Sequence, residues 1–139
     1  MQFEFLIPSR PVSLQTRNRS NLQAWKQFVY GEAAKLWTGA SSSNINIHLT
    51  LVYLCDEDPV DSDNIIKPIQ DALIGLIYDD DSLITDVEVH RRLITGIFDI
   101  ARLPPLILEG VNSHQECVYV RVLLATPLEE YFDKVRNEQ

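Results

Sequence analysis

Apolar and polar positions along the chain repeat with two different periods, and the switches between them divide it into elements. Phe3, Phe5 and Ile7 alternate with Gln2, Glu4 and Leu6, the period of a short strand over 2–7. Residues 8–19 contain Pro8 and Pro11 together with Arg10, Arg17 and Arg19, so a basic loop is expected there. Ser20 is the expected N-cap of a helix running to about Thr38. Leu22, Trp25, Val29, Ala33, Leu36 and Trp37 fall on one side of it at i, i+3, i+4 spacing. Gly39 and the serines after it end that helix. Over 44–54, Ile45, Ile47, Leu49, Leu51 and Tyr53 alternate with Asn46, His48 and Thr50, a strand with one buried face. An acidic turn follows from Asp56 to Asp61.

The period then returns to that of a helix over roughly 64–77. Ile65, Ile66, Ile69, Ala72, Leu73, Leu76 and Ile77 share one broad face, opposite Asp63, Lys67 and Asp71; Ile74 is off-pattern. Pro68 lacks a donor and fits best near a first turn, which predicts a helix start close to Asp63 or Asn64. After Asp79, Asp80 and Asp81, a strand over 83–94 sets Val87, Val89 and Leu93 against Glu88, His90 and Arg92. Residues 99–115 are expected to be irregular, because Pro104, Pro105, Gly110 and Asn112 break any period. Val118, Val120, Val122 and Leu124 predict a last strand over 116–125, and a tail from Pro127 that forms a short helix or frays. The order β-α-β-α-β-β predicts a small α+β fold, a single domain over 1–139 with a mixed sheet and helices mainly on one of its faces.

Composition limits the function classes. With 139 residues and 45% hydrophobic content the chain can bury a core, and no apolar run reaches the roughly 20 residues of a membrane span. The N-terminus MQFEFLIP lacks the features of a secretory signal, so cytoplasm is the expectation and no membrane partner is implied. Cys55 and Cys117 each sit in an apolar strand without CxxC or Cys/His spacing, which predicts buried free thiols and no zinc site. The net charge of −8 argues against nucleic acid taken alone, since phosphate neutralisation supplies most non-specific affinity.

The stretch DSDNIIKPIQDALIGLIYDDDSLITDVEVHR, from Asp61 to Arg91, carries the candidate chemistry. Carboxylates at i and i+2 in a turn before a helix can aim two hard oxygens at one cation, the kind of site Mg²⁺ prefers. Asp63 lies where the helix dipole favours an anion, and Lys67 follows one turn later on the same face. The Asp79–Asp81 cluster can add a ligand if the chain folds back. Taken singly, these are a turn residue, a helix-start acid, a surface i,i+4 partner worth about 0.2–0.5 kcal/mol, and a solvated loop. Together, that much acidic crowding around one lysine has a repulsive cost that a bound metal would relieve.

The pattern D-x-D-N-x-x-K, then D-A-L, then D-D-S resembles the RusA family of Holliday junction endonucleases over about 30 central residues, and more loosely over the run before them. The resemblance implies that Asp61, Asp63 and Asp81 are catalytic carboxylates and metal ligands, with Lys67 the essential lysine. Asp80 and Asp71 match recurrent acidic positions, and Asp80 joins the candidate metal set. Arg91 stands where the family often has lysine. The activity implied is Mg²⁺- or Mn²⁺-dependent endonucleolytic cleavage of four-way and other branched DNA in recombination and repair, by a symmetric homodimer.

The chain departs from the family pattern in the acidic DEDPVD ahead of the first catalytic aspartate and in an insertion-like segment over 99–115. Candidate phosphate contacts are Arg10, Arg17, Arg19, Lys26 and Arg91, with the N-terminal loop as the main surface. Two rivals stand beside the nuclease. One is a RusA-like fold acting as a non-catalytic scaffold through a protein partner, which the net charge favours. The other is a small-molecule phosphohydrolase, for which no Gly-rich phosphate loop is legible.

Overall fold

A computed structural model describes residues 1–138 of the chain. Four strands, β1 (Gln2–Ile7), β2 (Ile47–Cys55), β3 (Ile84–Leu93) and β4 (Cys117–Leu124), form one mixed sheet in the order β1-β4-β2-β3. β4 runs antiparallel to both β1 and β2, whereas β2 and β3 are parallel. A parallel pair needs a crossover, and α2 (Asp63–Ala72) supplies it. The remaining helices are α1 (Arg19–Ala34), α3 (Pro105–Ser113) and α4 (Leu128–Asn137). None of the described helices is long and apolar enough to cross a membrane.

The main core lies on the face carrying α1 and α2. Ile47, Leu49, Leu51 and Tyr53 of β2, with Val118, Val120 and Val122 of β4, meet Leu22, Trp25 and Val29 of α1 and Ile65 and Ile69 of α2. Each such aliphatic side chain stabilises the fold by about 1.5–3 kcal/mol when fully buried. Strand alternation therefore decides which face of the sheet the helices cover, and the α+β class follows. β3 is an edge strand, so Val87 and Leu93 remain exposed despite their alternation.

Several local expectations are corrected. Asn18, not Ser20, caps α1: its Oδ1 accepts from the Asn21 amide at 3.0 Å and from Ser20 Oγ at 2.8 Å. The helix stops at Ala34, leaving Leu36 exposed, while Trp37 packs edge-on against Phe3 with ring centroids 5.1 Å apart. Helix α2 stops at Ala72. The chain then turns through Gly75 at φ +85°, whose amide bonds the Tyr78 carbonyl at 2.7 Å, so off-pattern Ile74 lies beyond the helix.

Residues 99–115 are not irregular. They form a 3-10 turn at Ile100–Arg102 and then α3. Pro104 and Pro105 sit at its N-cap and first position, where no amide donor is needed, so they start a helix instead of breaking one. Helix α3 covers the second face of the sheet and builds a smaller core from Leu54, Ile94, Ile107, Cys117 and Tyr119. Gly110 permits that approach: a Cβ there would stand 2.8 Å from Cys117 Sγ and 3.2 Å from Leu54 Cδ1. The expected β-α-β-α-β-β order thus gains α3 before β4, and the tail from Pro127 forms the short helix α4. Cys55 and Cys117 are buried free thiols, as their apolar settings imply.

Candidate active site

At the carboxyl end of β2 the chain enters the acidic loop 56–60 and then reaches Asp61. That loop is held by a buried carboxylate, Glu116, at the start of β4. Glu116 Oε1 accepts from the Tyr53 hydroxyl at 2.9 Å and the Asp56 amide at 3.0 Å, while Oε2 accepts from Arg10 Nη1 at 2.8 Å. Arg10 Nη2 also donates to the Asp58 carbonyl at 2.9 Å, and the Val60 amide donates to the Tyr53 hydroxyl at 3.3 Å. Burial pushes the Glu116 carboxyl up, but the Asp56 amide, Tyr53 and Arg10 outweigh it and hold the group below the usual carboxylate range. Burial and the contact with Glu116 raise the Tyr53 phenol, so it remains a protonated donor.

Beyond this loop, Asp61 and Asp63 are exposed, Asp63 at the first position of α2. One turn on, Lys67 Nζ contacts the Asp81 carboxylate and lies 2.9 Å from Asp71 Oδ1. Hydrogen bonds to Asp81 and then Asp71 raise the Lys67 ammonium above its ordinary range, so it stays charged. Asp71 also meets Lys26 Nζ of α1 at 3.4 Å. A line of alternating charge, Asp81–Lys67–Asp71–Lys26, therefore runs from the β3 approach across α2 to α1.

The three consecutive aspartates have separate surroundings. Asp79 accepts from Ser41 Oγ, and its amide bonds the Ser42 carbonyl at 2.8 Å, joining two loops. Asp80 caps the 3-10 turn Asp81–Leu83 by accepting from the Ser82 amide at 3.3 Å. The Ser82 hydrogen bonds hold its carboxyl below the usual range. Only Asp81 turns to Lys67. Asp80 is thus a cap, beside the site and not pointed at Lys67.

Pro68 lies at the sixth residue of α2, not its first turn. A proline there cannot donate to the carbonyl four residues earlier, that of Asn64. The Leu14 amide takes its place, bonding Asn64 O at 2.9 Å. That bond ties the basic loop to the first turn of α2, beside Asp63. An open depression of about 390 Å³ lies between this loop and Val60.

The five candidate phosphate contacts divide accordingly. Arg10 is engaged with Glu116, Lys26 with Asp71, and Arg19 Nη1 donates to the Leu14 carbonyl at 2.9 Å. Arg17 and Arg91 make no ion pair or side-chain hydrogen bond among the described residues. Arg91 pairs in register with Tyr53, a core residue, and so stands on the α2 face of β3; Arg92, the next residue, is on the other face.

Every candidate ligand is a carboxylate oxygen, the hard donor that Mg²⁺ and Mn²⁺ take. Mg²⁺ commonly uses one or two carboxylates and keeps its other positions for water and phosphate. Asp61, Asp63 and Asp81 fit such an ion in kind. They do not form a closed cage, because no group of three His, Cys, Asp or Glu is arranged to hold a metal among the described residues. No such grouping forms among the described residues of the single chain, where Asp81 is turned onto Lys67; convergence in one subunit or across a dimer is the arrangement expected of the three carboxylates.

Two features escaped the sequence reading. In the sequence Glu116 is only the first residue of an apolar strand, and the Leu14–Asn64 tie shows only in the missing donor of Pro68. No curated protein matches the chain. The sequence profile of Endodeoxyribonuclease RusA matches residues 9–97, which span the basic loop, α1, β2, α2 and β3 and hence every candidate side chain at the site. The chain belongs to the RusA family of endodeoxyribonucleases.

Proposed function

We propose that the chain acts as one nuclease unit over 1–139 and as a homodimer, cutting phosphodiester bonds at four-way DNA junctions with Mg²⁺ or Mn²⁺ in recombination and repair. The observation that carries this reading is the meeting of Lys67 with Asp81, fourteen residues apart in sequence, on the helix that Asp63 begins. Asp61, Asp63 and Asp81 would hold the metal, with Asp80 at its margin. An ion held there would supply Lewis acidity, lowering the pKa of water and stabilising charge on the leaving 3′ oxygen.

An ammonium carries three donors. Lys67 commits donors to Asp71 and Asp81, which leaves one for an oxygen of the scissile phosphate and aligns that phosphate with Asp81. Arg17 and Arg91 suit flanking phosphates, since neither is spent internally among the described residues, Arg91 standing on the α2 face of β3. The Leu14–Asn64 bond ties the loop that bears Arg17 to the first turn of α2. A four-way junction has two-fold-related strands, which an isologous dimer matches.

A second reading, a scaffold that binds through a protein partner without cutting, draws on the net charge of −8 and on the internal pairing of Arg10 and Lys26. Incubating a labelled synthetic four-way junction with the protein, in Mg²⁺ and in Mn²⁺, separates the two on a gel. Paired nicks that disappear with chelator support the nuclease. Junction binding without cuts in either metal selects the scaffold.

A further inference from the structure

We propose that Glu116 is a positioning residue that sets the presentation of Asp61 through Tyr53, although it lies outside the matched family segment and 55 residues from that aspartate. The inference rests on the nuclease reading above. Its basis is the way the loop before Asp61 is held. Of the residues from Asp56 to Val60, three have a backbone group fixed to one connected cluster: the Asp56 amide on Glu116, the Asp58 carbonyl on Arg10, and the Val60 amide on Tyr53. Glu116 joins all of them, because it also binds Arg10 and the Tyr53 hydroxyl.

Burying a carboxylate carries a large desolvation penalty unless it is paired and hydrogen-bonded. Glu116 is 7% exposed and meets that requirement with a cation, a phenol and an amide. Tyr53 is fully buried beneath α2, so its hydroxyl is a fixed point in the core. The Val60 amide that bonds it belongs to the residue just before Asp61. A pentapeptide that carries Asp56, Glu57 and Asp58 would otherwise splay by like-charge repulsion. The cluster instead clamps it at both ends and in the middle. Helix α3, which leads through the left-handed His114 into Glu116, thereby connects the 99–115 segment to the site.

The test uses Tyr53→Phe, which removes the hydroxyl and keeps the ring, and Glu116→Gln, which removes the charge that pairs Arg10. Arg10→Gln removes the same ion pair from its cationic side, and Tm is read on all three variants so that a loss of fold is seen directly. Amide hydrogen exchange at Val60 and Asp56, calorimetric titration with Mn²⁺ alone, and junction cleavage against Mg²⁺ concentration are measured on the full chain. Val60 exchange in Tyr53→Phe should quicken about tenfold and Mn²⁺ affinity should fall by about tenfold, the scale of losses when partners behind a metal ligand are removed. The Mg²⁺ needed for half-maximal cleavage should rise by a similar factor, with kcat recovered at saturating Mg²⁺. A merely structural role would lower Tm and leave both metal midpoints in place. A wild type that binds Mn²⁺ and cuts junctions, beside folded variants with unchanged midpoints, overturns the role of Glu116 alone. A wild type that does neither brings down the functional reading and this role with it.

Discussion

The backbone amide of Leu14 donates to the carbonyl of Asn64 at 2.9 Å, filling the acceptor that Pro68 leaves without its helical partner. A residue that weakens α2 locally thus creates the attachment point for the loop bearing Arg17. Proline inside a helix costs about 3 kcal/mol, and here the freed carbonyl is reused instead of being left to solvent.

Pro68→Ala should restore a donor at position 68 that competes for Asn64 O. Exchange of the Leu14 amide is expected to accelerate while α2 itself becomes more protected. Junction affinity should fall through the loosened Arg17 loop, with the metal midpoint unchanged. Unaltered protection at Leu14 would show that the loop is held by other contacts.

The charge conflict can be divided between two sites. Asp63→Asn should reduce cleavage to background with the fold intact and DNA affinity equal or higher, because a charge that repels phosphate is removed. Arg17→Ala should weaken binding and lower the salt-dependence slope by about 1, as for one lost phosphate contact. Combining it with Arg19→Ala adds loss of the loop support that Arg19 gives through the Leu14 carbonyl. Cleavage at saturating junction should recover in the arginine variants and stay absent in Asp63→Asn. Full activity in Asp63→Asn would remove that residue from the mechanism.

Lys67→Met leaves Asp71 and Asp81 without their shared cation, although Lys26 still faces Asp71. The side chain is about half exposed, so folding should survive, since exposed ion pairs contribute only about 0–1 kcal/mol. Cleavage should be lost even at saturating DNA. Lys67→Arg should rescue poorly, because a planar fork cannot replace a compact ammonium between two carboxylates. Rates near wild type in either variant would count against the lysine assignment.

Glu116 predicts acid sensitivity. Its folded carboxyl lies below the ordinary value of 4.5, so the unfolded chain binds the proton first. The resulting stability is complete above the unfolded value and is lost as pH falls through the folded one. Wild type should exceed Glu116→Gln in Tm at neutral pH, and that gap should close as pH falls below the ordinary value of 4.5. A pH-independent gap would mean that the effect is steric.

Gly110→Ala tests the packing of α3. The new methyl would press on Cys117 Sγ and Leu54 from one rigid helix position. Overpacking of this kind costs roughly 1–3 kcal/mol, which thermal melting would detect. A melting temperature equal to that of wild type would show that α3 can shift away from the sheet without loss.

What the sequence determined alone was whatever is written in short-range periodicity. Ile47, Leu49, Leu51 and Tyr53 can share a face only as a strand, and Ile65, Ile69 and Ala72 only as a helix, so the elements of the site and the α+β class followed. The D-x-D-N-x-x-K run likewise carried the family, because the spacing of its carboxylates and lysine is local. Helix ends were less legible, since Ser20 and Asn18 are both competent caps, and the structure gives the Asn21 amide to Asn18. Prolines 104 and 105 carry no sign of their role, because a first-turn proline and a loop proline look the same without the helix that follows. Tertiary structure alone decided which charges are spent. Arg10, Lys26 and Glu116 are ordinary surface letters in the chain, yet each is committed to a partner more than 40 residues away. Asp79, Asp80 and Asp81 are identical in sequence and differ only in what the returning chain places opposite each. Pairing energy depends on distance and burial, and neither is defined until strands remote in sequence lie side by side.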